Sequence, residues 1–300
     1  MQSRALARVA HDRPAEIAAQ TYLGRVLTYL GHYQQAHTVL EEAIQHAAGQ
    51  PTPTILRYLG TNALRSGDLA AAHTYCMQAL TCAQAANDPF AVANILLDLG
   101  NLQLYMNSDI QATDYYMQSL QLAESLGNRL MMAIALGNLG EVATRSGRLN
   151  AARAYLERSL ALSRAIGDRE GENITLNNLG EVLVRLPHFT EATNVFERGI
   201  TLALERNNTD DLLFALHGVA CLWLADQQIA AAAKLVVIIL AHPQISSDLQ
   251  AQAEATYARC ATLLSADERA TLGTPAPPTS SKPSPAPYAC ACGGRRGYSS

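Results

Sequence analysis

The chain repeats itself with a period of 40 residues. The segment LGNLGE, which begins at Leu136, returns as LNNLGE at Leu176, so that Gly140 and Gly180 stand at matching positions. A small residue marks the same position six times, with one spacing of 36 residues followed by spacings of 40, at Gly24, Gly60, Gly100, Gly140, Gly180 and Ala220. A period of this length indicates stacked supersecondary units, in which each unit closes the core of the next.

The residues around each small position predict two helices per copy. An aliphatic residue stands directly before it, and an apolar residue stands four before it in five copies, Gln20 being the exception. This spacing is typical of an amphipathic helix. A turn residue follows seven positions later, and an alanine of the second helix follows twelve positions later. The turn residues are Gly31, Gly67, Asn107, Gly147, Pro187 and Gln227, and the alanines are Ala36, Ala72, Ala112, Ala152, Ala192 and Ala232.

The sequence therefore predicts an all-α fold of antiparallel helix pairs. The single spacing of 36 residues, between Gly24 and Gly60, predicts that the first linker is short. Boundaries read from sequence are expected to err by two to four residues. The predicted pairs are 15–30 with 33–48, 53–66 with 69–86, 90–106 with 109–126, 130–146 with 149–166, 170–186 with 189–206 and 210–225 with 229–241, followed by one helix at 248–264.

Three segments are expected along the chain. Residues 1–12 align with the last turns of a second helix, because Asp12 precedes Gly24 by the same distance as Asp168 precedes Gly180. We interpret residues 1–12 as the remnant of a preceding repeat helix, and the chain as a piece of a longer array or protein. Residues 13–264 form an array of about six repeats with a C-terminal capping helix. Residues 265–300, rich in proline and serine, are expected to be a disordered tail.

This pattern resembles the tetratricopeptide repeat family. The shared features are leucine and glycine in the first helix, a glycine turn, and alanine followed by a bulkier residue in the second helix. The resemblance covers about residues 1–264 and implies a right-handed superhelical solenoid that binds a protein or peptide along a concave face lined by first helices. The period exceeds the usual 34 residues, which implies longer helices or linkers. Repeats of this kind are similar to the sensor arms of bacterial signal-transduction ATPases and LuxR-type regulators, and to kinesin light chains.

A stripe on the first helices is the candidate binding site. Residues three before, one after and five after the small position share one side of the helix, because spacings of four align side chains. The resemblance implies that such positions hold extended or helical peptides, with asparagines bonding the ligand backbone. The alternative is that Glu141 with Arg145 and Glu181 with Arg185 are ion pairs on a solvated helix surface. Asn138 and Asn178, two positions before the small residue, lie beside the stripe. The candidate residues are Arg57, Arg65, Asn101, Tyr105, Asn138, Glu141, Arg145, Asn177, Asn178, Glu181 and Arg185.

Composition and motifs exclude several other functions. A net charge of -4 and a pI of about 6.1 provide no general attraction to nucleic acid or anionic lipid. The most apolar run, Leu235 to Leu240, is too short to span a membrane, and we expect a cytoplasmic protein. The chain carries no phosphate-binding GxxxxGK[ST] loop, dinucleotide fingerprint or GxSxG motif, so we predict neither an enzyme nor a cofactor.

Cysteine and histidine offer no strong metal site. Cys76, Cys82, Cys221 and Cys260 are scattered at helical positions, which favours reduced thiols over a disulfide framework. Cys290 and Cys292 form a CxC motif without a second pair, and we interpret them as part of a flexible tail; a weak thiolate site is the alternative. None of the eight histidines stands at a repeating ligand spacing.

Two functions remain in competition, and a third, an enzyme of unknown type, remains only if Cys290 and Cys292 bind metal. The first is a scaffold that binds a protein or peptide in the concave groove, as the sensor or scaffold arm of a bacterial regulator. The second is a stand-alone sensor of a ligand or signalling peptide, in which binding changes the pitch of the superhelix. Only the second predicts that a small ligand alone strongly stabilises the protein.

Overall fold

The computed structural model describes residues 13–265 and 267–269, which form helices joined by short turns, without any β-strand. Thirteen helices of twelve or more residues follow one another in this part of the chain. They are α1 (Arg13–Tyr29), α2 (Tyr33–His46), α3 (Pro53–Ser66), α4 (Leu69–Ala85), α5 (Pro89–Tyr105), α6 (Asp109–Ser125), α7 (Arg129–Arg145), α8 (Leu149–Ile166), α9 (Arg169–Arg185), α10 (Phe189–Glu205), α11 (Thr209–Ala225), α12 (Ile229–Leu240) and α13 (Ser247–Leu263).

The predicted helix pairs are confirmed, and each boundary lies within two residues of the prediction. Local signals explain this agreement. The Asp88 and Asp168 carboxylates accept hydrogen bonds from the Ala91 and Gly171 amides, both at 2.9 Å, and so cap α5 and α9. Turn residues such as Gly67 and Asn107 end first helices in the left-handed conformation, at φ of 89° and 56°.

Helix length explains both the period and its one exception. Helices α5 and α6 each contain 17 residues and are followed by turns of three residues, so longer helices account for the 40-residue period. The predicted short first linker is wrong. Residues 47–52, between α2 and α3, form a longer connection than the later three-residue turns, and the spacing falls to 36 because both α2 and α3 have only 14 residues.

The chain divides into two compact units, whose boundary falls between Ala135 and Leu136 within α7. In unit 1, described from residue 13, each first helix (α1, α3, α5) packs against the second helix that follows it, and α1 packs on α3 and α3 on α5. In unit 2, α9 and α11 pack on each other and on α10, and α13 packs against α11 and α12. Each unit therefore places its first helices side by side.

The repeated small residue lies where first and second helices approach closely. A Cβ built on Gly60 would lie 2.7 Å from Sγ of Cys76. A Cβ on Gly140 would lie 2.6 Å from Cγ of Leu156. These distances are far below ordinary carbon contacts, so the missing side chain is what allows each pair to close.

The ends of the chain are described only in part. Ser265 lies at the start of the segment predicted to be a disordered tail, and it caps a helical turn, since its Oγ accepts a hydrogen bond from the Glu268 amide at 3.3 Å and its own amide donates to the Glu268 carboxylate at 2.9 Å. Residues 266 and 270–300, which include Cys290 and Cys292, and the predicted repeat remnant at 1–12 lie outside the described residues. Within the described part, none of the helices combines the length and apolarity needed to cross a membrane.

Candidate functional site

In unit 1, the stripe of first-helix residues lines a small pocket. Arg65 from α3 and Asn101 and Tyr105 from α5 face this pocket together with Tyr29 and Asp98. Its volume is about 40 Å³, which is room for a few water molecules. The structure thus brings together three of the four residues predicted in this unit, and the fourth, Arg57, contacts the pocket wall through Asp98.

Arg57 and Asp98 form an ion pair that joins α3 to α5. The Arg57 Nε donates to Asp98 Oδ2 at 2.7 Å, and both side chains are about three-quarters covered. Burial raises the pKa of Asp98 although Arg57 acts in the opposite direction. Burial opposes the charge on Arg57, but Asp98 and Tyr58 together raise the pKa of its guanidinium. Arg57 therefore serves to fix the pocket wall as well as to carry charge.

Guanidinium groups and tyrosine rings alternate beside this pocket. Arg65 lies over the Tyr29 ring at 4.6 Å, and Arg57 lies over the Tyr58 ring at 5.2 Å. Arg25 lies within 6 Å of both rings. Three arginines thus stand beside the pocket in a chain that is acidic overall. This arrangement suits a ligand that carries carboxylate and aromatic groups.

In unit 2, the stripe residues of α7 and α9 meet at one end of the two helices. Arg185 Nη1 donates to the main-chain oxygen of Thr144 at 2.8 Å, which places its guanidinium beside the last turn of α7, where Arg145 stands. Glu181 Oε1 lies 3.7 Å from Arg185, so the predicted ion pair is present but loose. Burial raises the pKa of Glu181, and Arg185 counteracts this effect.

The unit 2 stripe differs from a solvated helix surface. Asn138 and Glu141 are buried, Arg145 and the neighbouring Asn177 and Asn178 are half-buried, and only Glu181 and Arg185 are exposed. The interpretation of Glu141 as one half of a solvent-exposed ion pair is therefore wrong, because its side chain is covered. The interpretation as an ion pair on a solvated helix surface still applies to Glu181 with Arg185.

Asn173 extends the unit 2 stripe by one turn, and the sequence analysis missed it. It stands four residues before Asn177 and is completely buried. A Cβ built on Gly199 of α10 would lie 3.4 Å from Asn173 Oδ1 and 3.3 Å from Asn177 Oδ1, so the glycine makes room for both carboxamides. Neither polar atom of Asn173, nor Oδ1 of Asn177, has a hydrogen-bond partner among the described residues.

A sequence signal for these residues exists. In the two directly preceding copies, the position of Asn173 is occupied by Ala93 and Ala133, so a polar residue replaces a small apolar one. The position of Gly199 is occupied by Ser119 and Ser159. A second signal is the position two before the small residue. It is occupied by Tyr58 and Asp98 in unit 1, and these polar and aromatic side chains lie at the candidate site.

The last stripe members, His217 and Cys221, lie in a buried polar cluster rather than an open groove. His217 Nε2 lies 3.0 Å from Thr256 Oγ1 of α13 and 3.8 Å from Cys221 Sγ. Burial raises the pKa of the Cys221 thiol to about 11, so the thiol stays protonated. Within the described residues, no group of three or more His, Cys, Asp or Glu side chains is arranged to hold a metal ion.

We expect His217 to make the fold less stable in acid. Burial, which outweighs a bond to the Gln252 backbone, lowers the pKa of His217 to about 4 from the ordinary 6.5. Protonation therefore favours the unfolded chain, and stability that is present above pH 6.5 is lost as the pH falls towards 4. The free energy of unfolding should fall by about 2 kcal/mol more in the wild type than in His217→Gln between pH 7 and pH 5. Urea denaturation of both proteins at the two pH values measures this difference, and equal losses would contradict the assignment.

Comparisons with known proteins agree with the repeat fold described above. The sequence matches the family model described as tetratricopeptide repeat over residues 51–125 and 131–205, half of the chain. No curated protein matches it. The fold is similar to that of a signal transduction ATPase with numerous domains (STAND) protein with a tetratricopeptide repeat sensor from Pyrococcus horikoshii, at a TM-score of 0.67 and 16% identity. That comparison covers 87% of this chain and 40% of the other, so the chain spans less than half of the STAND protein.

Two Rap proteins are also similar in structure. The Rap conjugation gene regulator of plasmid pLS20, solved in complex with the Phr* peptide, has a TM-score of 0.61 and 15% identity, over 86% of this chain and 78% of that one. A Rap protein complexed with competence and sporulation factor has a TM-score of 0.62 and 14% identity, over 89% and 79%. These identities establish the fold alone. Because the family model covers half of the sequence and the helix pairs follow its repeat, the chain belongs to the tetratricopeptide repeat family.

Proposed function

We propose that this protein is an interaction scaffold that binds a peptide, or an extended segment of a protein, along its first helices. The observation that carries the proposal is the carboxamide of Asn173 together with Oδ1 of Asn177 in unit 2, because none of these three polar atoms has a hydrogen-bond partner among the described residues. A buried amide without partners costs about 1 to 3 kcal/mol, and native proteins keep few of them. A ligand that supplies both a donor and an acceptor recovers this cost.

Comparison between repeats supports a functional origin of this arrangement. In the repeat formed by α5 and α6, Ser119 Oγ donates to the Ala93 carbonyl oxygen at 2.9 Å, so the polar group sits on the second helix and is satisfied. In the repeat formed by α9 and α10, the polar group sits on the first helix as Asn173, opposite Gly199. Packing alone gives no reason to replace the hydrogen-bonded pair of Ser119 and Ala93 by an Asn173 that has no hydrogen-bond partner.

The neighbouring groups define the chemistry of the ligand. Carboxamides bind peptide main chain because they donate and accept at once. Arg145 and Arg185, at the far end of the unit 2 stripe, bind carboxylates through charge-assisted hydrogen bonds. In unit 1, Arg65, Asn101 and Tyr105 offer guanidinium, amide and aromatic contacts of the same kind. A peptide with acidic and aromatic side chains fits each unit.

We further propose that the protein is the sensor or scaffold arm of a bacterial regulator and acts in the cytoplasm, without a cofactor or catalysis of its own. The similarity to the tetratricopeptide repeat sensor of a STAND protein supports this role. The second candidate is a stand-alone sensor of a signalling peptide, supported by the similarity to Rap proteins solved with peptides. Small-angle scattering with and without a bound peptide separates the two, because only the second requires the superhelix to change its pitch.

The experiment that tests peptide binding starts from a random peptide library displayed on phage. The full chain is immobilised, enriched peptides are synthesised, and their affinities are measured by calorimetric titration. Asn173→Ala is expected to weaken binding at least tenfold. The same substitution should raise the free energy of unfolding by about 1 kcal/mol, because it removes an unsatisfied buried amide and restores the alanine of the earlier repeats.

Opposite changes in affinity and stability are the signature of a binding residue. If Asn173 were purely structural, Asn173→Ala would lower both the affinity and the free energy of unfolding, or it would leave the affinity unchanged. Thr193→Ala, on the outer side of α10, is the matched control and should leave both within error, since its hydroxyl is exposed and bonds only the Phe189 carbonyl oxygen. If the selected peptides bind Asn173→Ala as tightly as the wild type, the unit 2 stripe is not the site.

A further inference from the structure

Tyr116 of the second helix α6 reaches the unit 1 pocket from below α5. Its side chain is completely buried, and a Cβ built on Gly100 would lie against its ring, so the missing side chain of Gly100 lets the ring pass under α5. At the end of the ring, the hydroxyl donates to Asn101 Oδ1 at 2.7 Å. Asn101 lines the pocket. A second helix therefore holds a residue of the candidate binding surface.

Packing does not require the hydroxyl of Tyr116. In the repeat formed by α9 and α10, a Cβ on Gly180 would lie against the ring of Phe196, which occupies the same position without a hydroxyl. Tyr116 also stands in the one repeat whose stripe has an asparagine directly after the small residue. We therefore assign the hydroxyl to the Asn101 carboxamide rather than to the core. The residues at the position of Tyr116, of which it alone has a hydroxyl, are Leu40, Cys76, Tyr116, Leu156, Phe196 and Val236.

The hydrogen bond determines how Asn101 presents its carboxamide. A carboxamide carries an accepting oxygen and a donating nitrogen on the two sides of one planar group. Because the Tyr116 phenol donates to Oδ1, the oxygen of Asn101 is turned towards α6 and the nitrogen is turned away from it. Asn101 thus presents a donor to a ligand in the pocket.

Other groups at the pocket also favour a ligand that accepts hydrogen bonds. The Arg65 guanidinium has donors and no acceptor, and it lies over the Tyr29 ring at 4.6 Å. The Asp98 carboxylate is paired with Arg57 at 2.7 Å. Burial raises the pKa of the Cys76 thiol to about 12, so this thiol stays neutral. The lining is therefore rich in donors, which suits an anionic group.

The size of the pocket limits which anionic group can enter. One water molecule needs about 10 to 15 Å³ of cavity, so a volume of about 40 Å³ accommodates roughly three non-hydrogen atoms. A carboxylate group matches this size, whereas a phosphate group or an aromatic ring exceeds it. Carboxylates also receive two parallel hydrogen bonds from a guanidinium such as that of Arg65.

We propose that the unit 1 pocket is a carboxylate receptor, and that Tyr116 is the positioning residue that makes it prefer a carboxylate to an amide of the same shape. Tyr116 acts through Asn101, whose amide nitrogen donates to the carboxylate beside the Arg65 guanidinium. Without the phenol, the carboxamide can turn and present its oxygen, which repels a carboxylate and accepts a hydrogen bond from an amide. The inference rests on the proposed function for its natural ligand, a peptide with an acidic group, and gives that group its place.

Acetate and acetamide are the probes, because they share one shape and differ in charge and in the ability to donate. Heteronuclear NMR spectra of the full chain are recorded during titration with each probe, and dissociation constants are obtained from the side-chain signals of Asn101 and Arg65. The wild type should bind acetate about tenfold more tightly than acetamide. Tyr116→Phe should reduce this ratio about fivefold or more, with native helicity by circular dichroism, since Phe196 shows that the ring packs without its hydroxyl.

Two further variants make the test independent of the folding of Tyr116→Phe. Asn101→Asp keeps an acceptor for the Tyr116 hydroxyl but has no donor for the ligand, so acetate should no longer bind. Tyr115→Phe is the matched control and should keep the ratio of the wild type. Tyr115 precedes Tyr116 in α6, but it packs against the cluster of Ile95 and Leu99 and does not line the pocket.

Three results would overturn the proposal. They are equal affinities of the wild type for acetate and acetamide, an unchanged ratio in Tyr116→Phe, and acetate binding by Asn101→Asp that equals that of the wild type. An equal fall of the ratio in Tyr115→Phe would also overturn it, because the effect would then not depend on the hydrogen bond to Asn101.

Peptides separate this inference from the proposed function. Peptides selected on the full chain are synthesised with each acidic residue replaced by its amide counterpart, and separately with an amidated C terminus, which shows whether a side chain or the chain end supplies the carboxylate. If no peptide is enriched although acetate is preferred, the proposed function fails and the carboxylate receptor stands. If peptides bind but the wild type does not prefer acetate, the carboxylate receptor fails alone.

Discussion

Replacing Arg145 and Arg185 together by alanine is expected to weaken the binding of a selected peptide by roughly 2 to 4 kcal/mol, about 30-fold to 1000-fold in affinity. The two arginines stand at the same end of α7 and α9, where the Arg185 guanidinium reaches the main-chain oxygen of Thr144. A carboxylate bound there would receive charge-assisted hydrogen bonds from both side chains. Calorimetric titration of the wild type and the double variant measures the loss.

The fold should survive this change. The ion pair between Glu181 and Arg185 is loose and exposed, and such pairs contribute less than about 1 kcal/mol. Arg185 also donates to the Thr144 carbonyl oxygen, so a small loss of stability is expected. Urea denaturation and circular dichroism report this separately from affinity.

A second double variant separates local contacts from net charge. Arg153→Ala with Arg198→Ala removes two positive charges from the second helices α8 and α10, where Arg153 pairs with Glu157 and Glu191. Its effect on affinity should be less than threefold, and binding by the wild type should weaken as salt is added. If both double variants lose affinity equally, the arginines act through long-range attraction and do not contact the ligand.

The fold could be predicted almost completely because every copy carries its own signals. Gly140 and its equivalents fix the register, and the capping aspartates and left-handed turn residues fix where helices begin and end. The one error, the length of the first linker, has a physical cause. The spacing between Gly24 and Gly60 gives a total, and a total cannot show whether the helices α2 and α3 or the connection between them is short.

The site could be predicted only as a surface. The stripe rule placed Arg65, Asn101 and Tyr105 around one pocket, because helix geometry determines which residues share a side. It could not show that Arg57 forms an ion pair with Asp98, since that contact joins residues 41 positions apart on two different helices. Nor could it find Asn173, because its burial and lack of partners depend on what α10 places opposite it.

Gly140→Leu tests the register on which the site rests. The variant is expected to lower the free energy of unfolding by about 3 kcal/mol, at the upper end of overpacking costs, because a Cβ alone would lie 2.6 Å from Cγ and 2.7 Å from Cδ2 of Leu156. Leucine is a better helix former than glycine by almost 1 kcal/mol, so the loss would occur against intrinsic propensity. Urea melts of the two proteins measure it.

Gly137→Ala is the control that separates packing from propensity. Gly137 lies in the same helix, but a Cβ there would meet only Ser159 Oγ, at 3.5 Å, which is an ordinary contact. Alanine should therefore stabilise the protein by about 0.5 to 1 kcal/mol, because glycine is unfavourable within a helix. Opposite signs at two glycines three residues apart follow only if Gly140 faces α8. An unchanged midpoint for Gly140→Leu would instead place Gly140 in solvent and shift every stripe residue to another side of its helix.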